Sequence, residues 1–209
     1  MPRISIDTRP EHNAELFFWK ITESVEELSE LMPDGKEMLD EVYRRFKSPQ
    51  RRKEWLATRA LLQSTPHNGS KIVYNTNGAP QLSDGNKQIS ISHTKELIAI
   101  AISDTRVGID IEHEERDALS ITRLFLTEKE KMQFSNDSKD EALRLWTTKE
   151  AAFKLASENA TVLKEIETEL TNEENGVYTY KIKYPNEKKA ICRTYITDGL
   201  FISVSSLQE

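Results

Sequence analysis

Cysteine is almost missing from this chain. The single thiol, Cys192, cannot close an internal disulfide, which excludes a secreted domain framed by disulfides. It lies in an alternating apolar segment, Ala190–Tyr195, so a buried structural thiol is expected rather than a reactive one. Long apolar runs are also missing. The longest, Leu97–Ile102 (LIAIAI), falls far short of the roughly 18–20 residues that a membrane span needs. Its length suits a buried strand instead. The N-terminus has no basic segment followed by an apolar run, so no signal peptide and no membrane partner are expected, and a cytoplasmic location is. No low-complexity segment or long linker separates the two halves of the chain, which are therefore expected to pack closely. A formal charge of −6 argues against nucleic acid as the main partner.

What is present suits a folded protein. The 209 residues are 37% apolar and include three Trp, seven Phe and six Tyr, enough for one domain or two small ones sharing an interface. Charge is unevenly spread. Between Arg44 and Arg59 lie Arg44, Arg45, Lys47, Arg51, Arg52, Lys53 and Arg59, with Glu54 the sole acid. For most of these residues a solvated helix face is expected. The alternative is a patch for phosphates or for an acidic protein.

Residues Arg3–Asp7 and Glu15–Ile21 read as strands. Ser24–Glu27 is a capping-box pattern opening a helix with Val25, Leu28 and Leu31 on one face, and Pro33-Asp34-Gly35 breaks it. Met38, Val42 and Phe46 mark a second helix ended by Pro49, and Arg51–Gln63 a third. Strands follow at Lys71–Tyr74, Ile89–His93 and Leu97–Ser103, with turns at Asn77-Gly78 and Asp84-Gly85. The second half opens with a strand over Val107–Glu112. Capping boxes at Thr127–Glu130 and Ser138–Glu141 then start a short helix and a longer one reaching about Ser157. Strands over Val177–Tyr184, Ile191–Thr197 and Leu200–Ser205 finish the chain, the last two joined at Asp198-Gly199. Each half thus runs through helices to a β-hairpin, and Thr94-x-x-Leu97 is echoed by Thr197-x-x-Leu200. This echo is a sign of an internal duplication that carries no claim alone; an α+β fold is expected, with its halves at residues 1–105 and 106–209.

Three constellations could carry chemistry. On a strand, Val107, Ile109 and Ile111 point into the core, while Asp110 and Glu112 share the opposite face with α-carbons roughly 6–7 Å apart. Gly108 removes a side chain from that face and is expected to open room there. Two adjacent carboxylates repel unless a cation sits between them, and hard oxygen ligands suit magnesium; an acidic strand face with no ligand is the other reading. Trp146, Glu150 and Lys154, at i, i+4 and i+8, share one helix face. Glu150 and Lys154 are either a surface ion pair or, beside the half-buried Trp146, part of a site. Ser92-His93 ends a strand before a turn, where it can hold a phosphate or cap the turn.

Gly108-x-Asp110-x-Glu112 followed by Trp146-x-x-Lys149-Glu150-Ala151-x-x-Lys154 resembles the signature of the 4'-phosphopantetheinyl transferase superfamily. The Ser92-His93 motif and the helical Arg59 are similar to that family's as well. In length the chain resembles the longer, surfactin-synthetase-activating type. The resemblance implies two α/β subdomains related by a pseudo-two-fold axis, a monomer, and coenzyme A held between the halves. It implies a magnesium-dependent transfer of phosphopantetheine from coenzyme A to a serine of an apo acyl or peptidyl carrier protein, releasing adenosine 3',5'-bisphosphate. Asp110, Glu112 and Glu150 would hold the metal and Lys154 would sit near the same phosphates. Glu150 would act as base, with Glu112 or water as alternatives. His93, Arg59 and Ser92 would bind the 3'-phosphate of coenzyme A. The sequence departs from the family at Gly78-Ala79-Pro80, where a lysine is usual in the middle position, leaving Lys71 or Lys87 to substitute. A relative that binds coenzyme A or a carrier protein without catalysis is the alternative.

Overall fold

A computed structural model describes residues 3–4, 14–135, 138–156 and 162–208. In the first half, β1 (Arg3–Ile4) and β2 (Ala14–Lys20) precede helices α1 (Val25–Glu30), α2 (Gly35–Arg45) and α3 (Pro49–Gln63). A small ribbon, β3 (Ile72–Tyr74) and β4 (Pro80–Leu82), comes next, followed by β5 (Gln88–His93) and β6 (Leu97–Ser103). In the second half, β7 (Val107–His113) leads to α4 (Thr122–Phe125), α5 (Glu128–Gln133) and α6 (Lys139–Ala156). The chain then runs through β8 (Glu167–Glu174), β9 (Val177–Lys183), β10 (Lys189–Thr197) and β11 (Leu200–Leu207).

Local chemistry accounts for the helix starts. Ser24 accepts the amide of Glu27 while the Glu27 carboxylate accepts the amide of Ser24, closing the box that opens α1. Thr127 and Glu130 do the same for α5. At α6 only half of the expected box forms: Ser138 Oγ accepts Glu141 N–H, but the Glu141 carboxylate turns to Ser135 N–H. The expectation that this helix reaches Ser157, and that the first strand extends to Asp7, concerns residues outside those described. Pro49 begins α3 instead of only ending the previous helix. Proline suits the first helical position because the missing N–H would have no partner there, and Ser48 caps the turn.

Among the described residues all strand pairing is antiparallel, in a four-stranded sheet β1-β2-β6-β5, a five-stranded sheet β7-β11-β10-β9-β8, and the β3-β4 ribbon. Within each half the first full strand pairs with the last, giving β2-β6-β5 and β7-β11-β10. The apolar run in β6 is buried on both faces. Ile98, Ile100 and Ile102 join Trp19, Leu56 and Leu61 under the helices of the first half. Leu97, Ala99 and Ala101 face Val107, Ile109, Ile111, Ile202 and Val204 in a core between the two sheets. Cys192 is wholly buried under α6, and burial pushes its thiol up to about 12, in keeping with a structural role.

Two strands escaped the sequence reading. β8 (ETELTNEE) is an exposed edge strand with no apolar alternation, held by its ladder to β9. β4 is three residues long and is paired to β3 across a turn in which Asn75 Oδ1 accepts the amides of Asn77 and Ala79.

The two sheets meet where β5 runs beside β7. Side-chain hydroxyls bridge the backbone there: Ser90 Oγ accepts Ile109 N–H at 3.0 Å and Ser92 Oγ accepts Ile111 N–H at 3.2 Å. Val107, Ile109 and Ile111 face the core as expected, and the opposite face of β7 meets α6. Gly108 does not open a cavity beside Asp110. A Cβ at that position would lie 2.0 Å from the Ala151 carbonyl oxygen and 2.9 Å from Leu155 N, so the space belongs to the α6 backbone. Gly108→Ala is therefore expected to push α6 off the sheet and destabilise the fold by about 1–3 kcal/mol, measurable by urea denaturation.

Candidate active site

Helix α6 lays one face across β7, and the acidic residues of the strand meet the polar residues of the helix. Asp110 is only 6% exposed. Its Oδ1 accepts Lys154 Nζ at 2.7 Å and Ser92 Oγ at 2.9 Å, whereas Oδ2 is buried with no hydrogen-bond partner among the described residues. Lys154 also donates to the Ile109 carbonyl at 2.9 Å. Lys154 thus crosses to the strand instead of making the surface pair with Glu150 that the i,i+4 spacing allowed. Glu112 accepts Trp146 Nε1 at 3.2 Å and has Arg116 Nε at 3.7 Å. Trp146 is fixed edge-on to Phe125, with ring centroids 5.4 Å apart.

The carboxylates sense one another. Burial, then Asp110, raises the Glu112 carboxyl. Burial, again followed by Asp110, raises Glu150 to about 7, with Glu112 adding to the shift and Lys154 opposing it. Three acids share Lys154 and Arg116 in a half-buried place. Among the described residues, no group of three or more His, Cys, Asp or Glu side chains stands ready to hold a metal ion. The donor chemistry nevertheless fits a hard divalent cation. The oxygens are carboxylate, one of them is buried without a partner, and positive charge would relieve the repulsion that raises Glu112 and Glu150.

His93, at the end of β5, is brought to Arg51 and not to Arg59. Its Nε2 lies 3.3 Å from Arg51 Nη1 and its Nδ1 lies 3.7 Å from the buried Glu54. Burial lowers the imidazole pKa and Glu54 pulls it back up. Gln50 Nε2 donates both to Glu54 and to the Lys95 carbonyl, tying the start of α3 to the β5–β6 turn. Arg59 lies two turns further along α3, about 12 Å away by helical rise. There it stacks on Trp55 at 3.4 Å and donates to the Trp55 carbonyl. Burial lowers its pKa to about 10, with Tyr74 opposing. Within the basic stretch, Arg45 pairs with Glu41, and Arg52 donates to the Phe46 carbonyl and lies over Tyr43. Lys71 and Lys87, the bases offered in place of a lysine at Ala79, pair with Asp34 and Asp104.

Lys149 belongs to the Trp146–Lys154 motif without an expected role in the chemistry. It is wholly buried and donates to Glu130 Oε2 at 2.6 Å and to the carbonyls of Phe125, Ile166 and Leu163 at 2.8, 2.7 and 3.3 Å. Glu130 in turn accepts Thr168 N–H and Oγ1–H. This hub fastens α6 to α4, α5 and the segment leading into β8. The available signal was its spacing: Lys149 follows Leu145 by four and precedes Ala152 by three, which puts it on the buried face of α6.

Residues 106–202 match the sequence profile of the 4'-phosphopantetheinyl transferase superfamily. The matched span contains β7 and α6, and so Asp110, Glu112, Lys149, Glu150 and Lys154. No curated protein matches the chain in sequence.

Two outcomes are expected. Lys149→Met strands Glu130 and several carbonyls in the interior and should cost about 3–5 kcal/mol in urea unfolding. Glu150, whose folded-state pKa of about 7 lies above its ordinary 4.5, favours folding while protonated. That contribution is present below the lower value and is lost as pH rises through the upper one. Metal-free protein should therefore lose stability across that window in thermal melts with EDTA, and Glu150→Gln should flatten the profile.

Proposed function

We propose that the protein transfers the 4'-phosphopantetheine group of coenzyme A to a serine of an apo acyl or peptidyl carrier protein, with magnesium, and releases adenosine 3',5'-bisphosphate. The observation that carries this reading is the meeting of Asp110, Glu112, Glu150 and Lys154 between β7 and α6, with Asp110 Oδ2 buried and unpartnered. The family profile over the same residues supports it.

Asp110, Glu112 and Glu150 would hold the metal. When bound, magnesium supplies charge neutralisation at the pyrophosphate and stabilises the departing phosphate. Lys154 adds a second positive charge at the same place, tethered by Asp110 and the Ile109 carbonyl. Glu150, already inclined to take a proton, is the candidate base for the carrier serine hydroxyl, with Glu112 or water as substitutes. His93 is the candidate ligand for the 3'-phosphate of coenzyme A. Arg51 beside it and Arg59 further along α3 supply positive charge on that side. The exposed basic residues of α2 and α3 would meet the acidic surface of the carrier.

The arrangement proposed for the whole chain is a monomer of the surfactin-synthetase-activating type, working in the cytoplasm. Its two subdomains, residues 1–105 and 106–209, would be related by a pseudo-two-fold axis, with coenzyme A between them. The repeated orders β2-β6-β5 and β7-β11-β10 support this.

Intact-mass spectrometry of apo carrier proteins incubated with the protein, coenzyme A and magnesium tests the reading. A gain of one phosphopantetheine is expected, lost with EDTA and reduced at least a hundredfold in rate by Glu150→Ala, on the order of a lost electrostatic contact in the transition state. Coenzyme A binding without transfer to any carrier would identify a non-catalytic relative. Phosphate release without a carrier would identify a hydrolase.

A further inference from the structure

Serine 92 was expected to contact coenzyme A. Its surroundings leave little capacity for that. A hydroxyl has one proton to give and two lone pairs to receive. The Ser92 proton goes to Asp110 Oδ1 at 2.9 Å, and its oxygen receives Ile111 N–H at 3.2 Å. The residue is 4% exposed. Donating to a phosphate would mean releasing Asp110.

The bond also selects between the two oxygens of Asp110. Lys154 and Ser92 both donate to Oδ1, while Oδ2 is buried and has no partner. A carboxylate tethered through one oxygen by two donors cannot rotate without breaking both bonds. One atom is thus held and the other is left without a donor. The tether is anchored outside the second half of the chain: Ser92 belongs to β5 of the first sheet, and Asp110 to β7 of the second. Ser90, on the same face of β5 and two residues earlier, makes the equivalent seam bond to Ile109 N–H. It supplies an internal control for a purely structural contribution.

We infer that Ser92 is a positioning residue for Asp110, reaching across the seam between the sheets to hold Oδ1 so that Oδ2 is the atom offered to a divalent cation. This rests on the functional reading above. It moves Ser92 from nucleotide binding to metal binding and makes the seam part of the site. Packing of the two sheets then sets the affinity for metal, because the donor sits on one sheet and the carboxylate on the other. Second-layer hydrogen bonds of this kind typically govern about 10–100-fold in metal affinity.

The experiment is calorimetric titration of manganese or magnesium into the full chain saturated with coenzyme A, together with coenzyme A binding in EDTA and thermal melts. Ser92→Ala is expected to weaken metal affinity about tenfold while leaving coenzyme A binding in EDTA unchanged. Ser90→Ala is expected to lower the melting temperature comparably and leave metal affinity alone. Weaker coenzyme A binding in EDTA by Ser92→Ala, with metal affinity intact, would overturn the inference and return Ser92 to the nucleotide. Equal losses of metal affinity in both variants would overturn it in favour of a general seam effect. Wild-type protein that takes up no metal with coenzyme A would overturn the functional reading and this inference together. Wild-type uptake with an unchanged Ser92→Ala overturns the inference alone.

Discussion

The close approach of α6 to β7 is the contact on which the rest of the site depends. It is possible because position 108 has no Cβ: an added carbon there would meet the Ala151 carbonyl oxygen at 2.0 Å. With the helix backbone seated on the strand, Lys154 can span from α6 to Asp110 and Trp146 can reach Glu112. On the buried side of the same helix, Lys149 fastens to Glu130 and three carbonyls. The helix is thus clamped on one face by a buried ammonium and pressed on another against a strand without a side chain. Its polar residues have little freedom left.

That rigidity holds together groups that would otherwise separate. Asp110, Glu112 and Glu150 repel one another, and burial strengthens the repulsion by excluding water. A free surface would relax by turning side chains outward. Here the Asp110 carboxylate is tied by Lys154 and Ser92, and Glu112 by Trp146. Carboxylates crowded together and kept in place by packing are a common physical mark of a site built for a positive ligand. The seam between the sheets shares in the task, because one tether comes from the other half of the chain.

Much of this could be read in advance. The alternation in Val107–Glu112 separated a core face from an acidic face, and the structure has Val107, Ile109 and Ile111 in the core between the sheets. Two complete capping boxes stand where the sequence put them. The gaps have physical causes. β8 carries no apolar period because it is an edge strand exposed on both faces, so only its ladder reveals it. Arg51 looked like one more surface charge, because a helix face shows which residues are neighbours along the helix but not which strand end lies opposite. Gly108 looked like room for a ligand, since a sequence marks a missing side chain but not what fills its space.

The sequence by itself determined the periodicities, the helix starts, the apolar strand that had to be buried, and the residues able to bind a cation or a phosphate. These follow from φ/ψ preference, side-chain alternation and donor chemistry, all local properties. Only the tertiary structure decided which of those residues meet. Lys154 bonds Asp110 across 44 positions and Ser92 bonds it across 18, separations that no local rule spans. His93 received Arg51 in place of Arg59 because the start of α3, and not its middle, lies beside the end of β5. Long-range pairing is chosen by how sheets and helices pack their apolar faces, and the polar contacts follow from that packing.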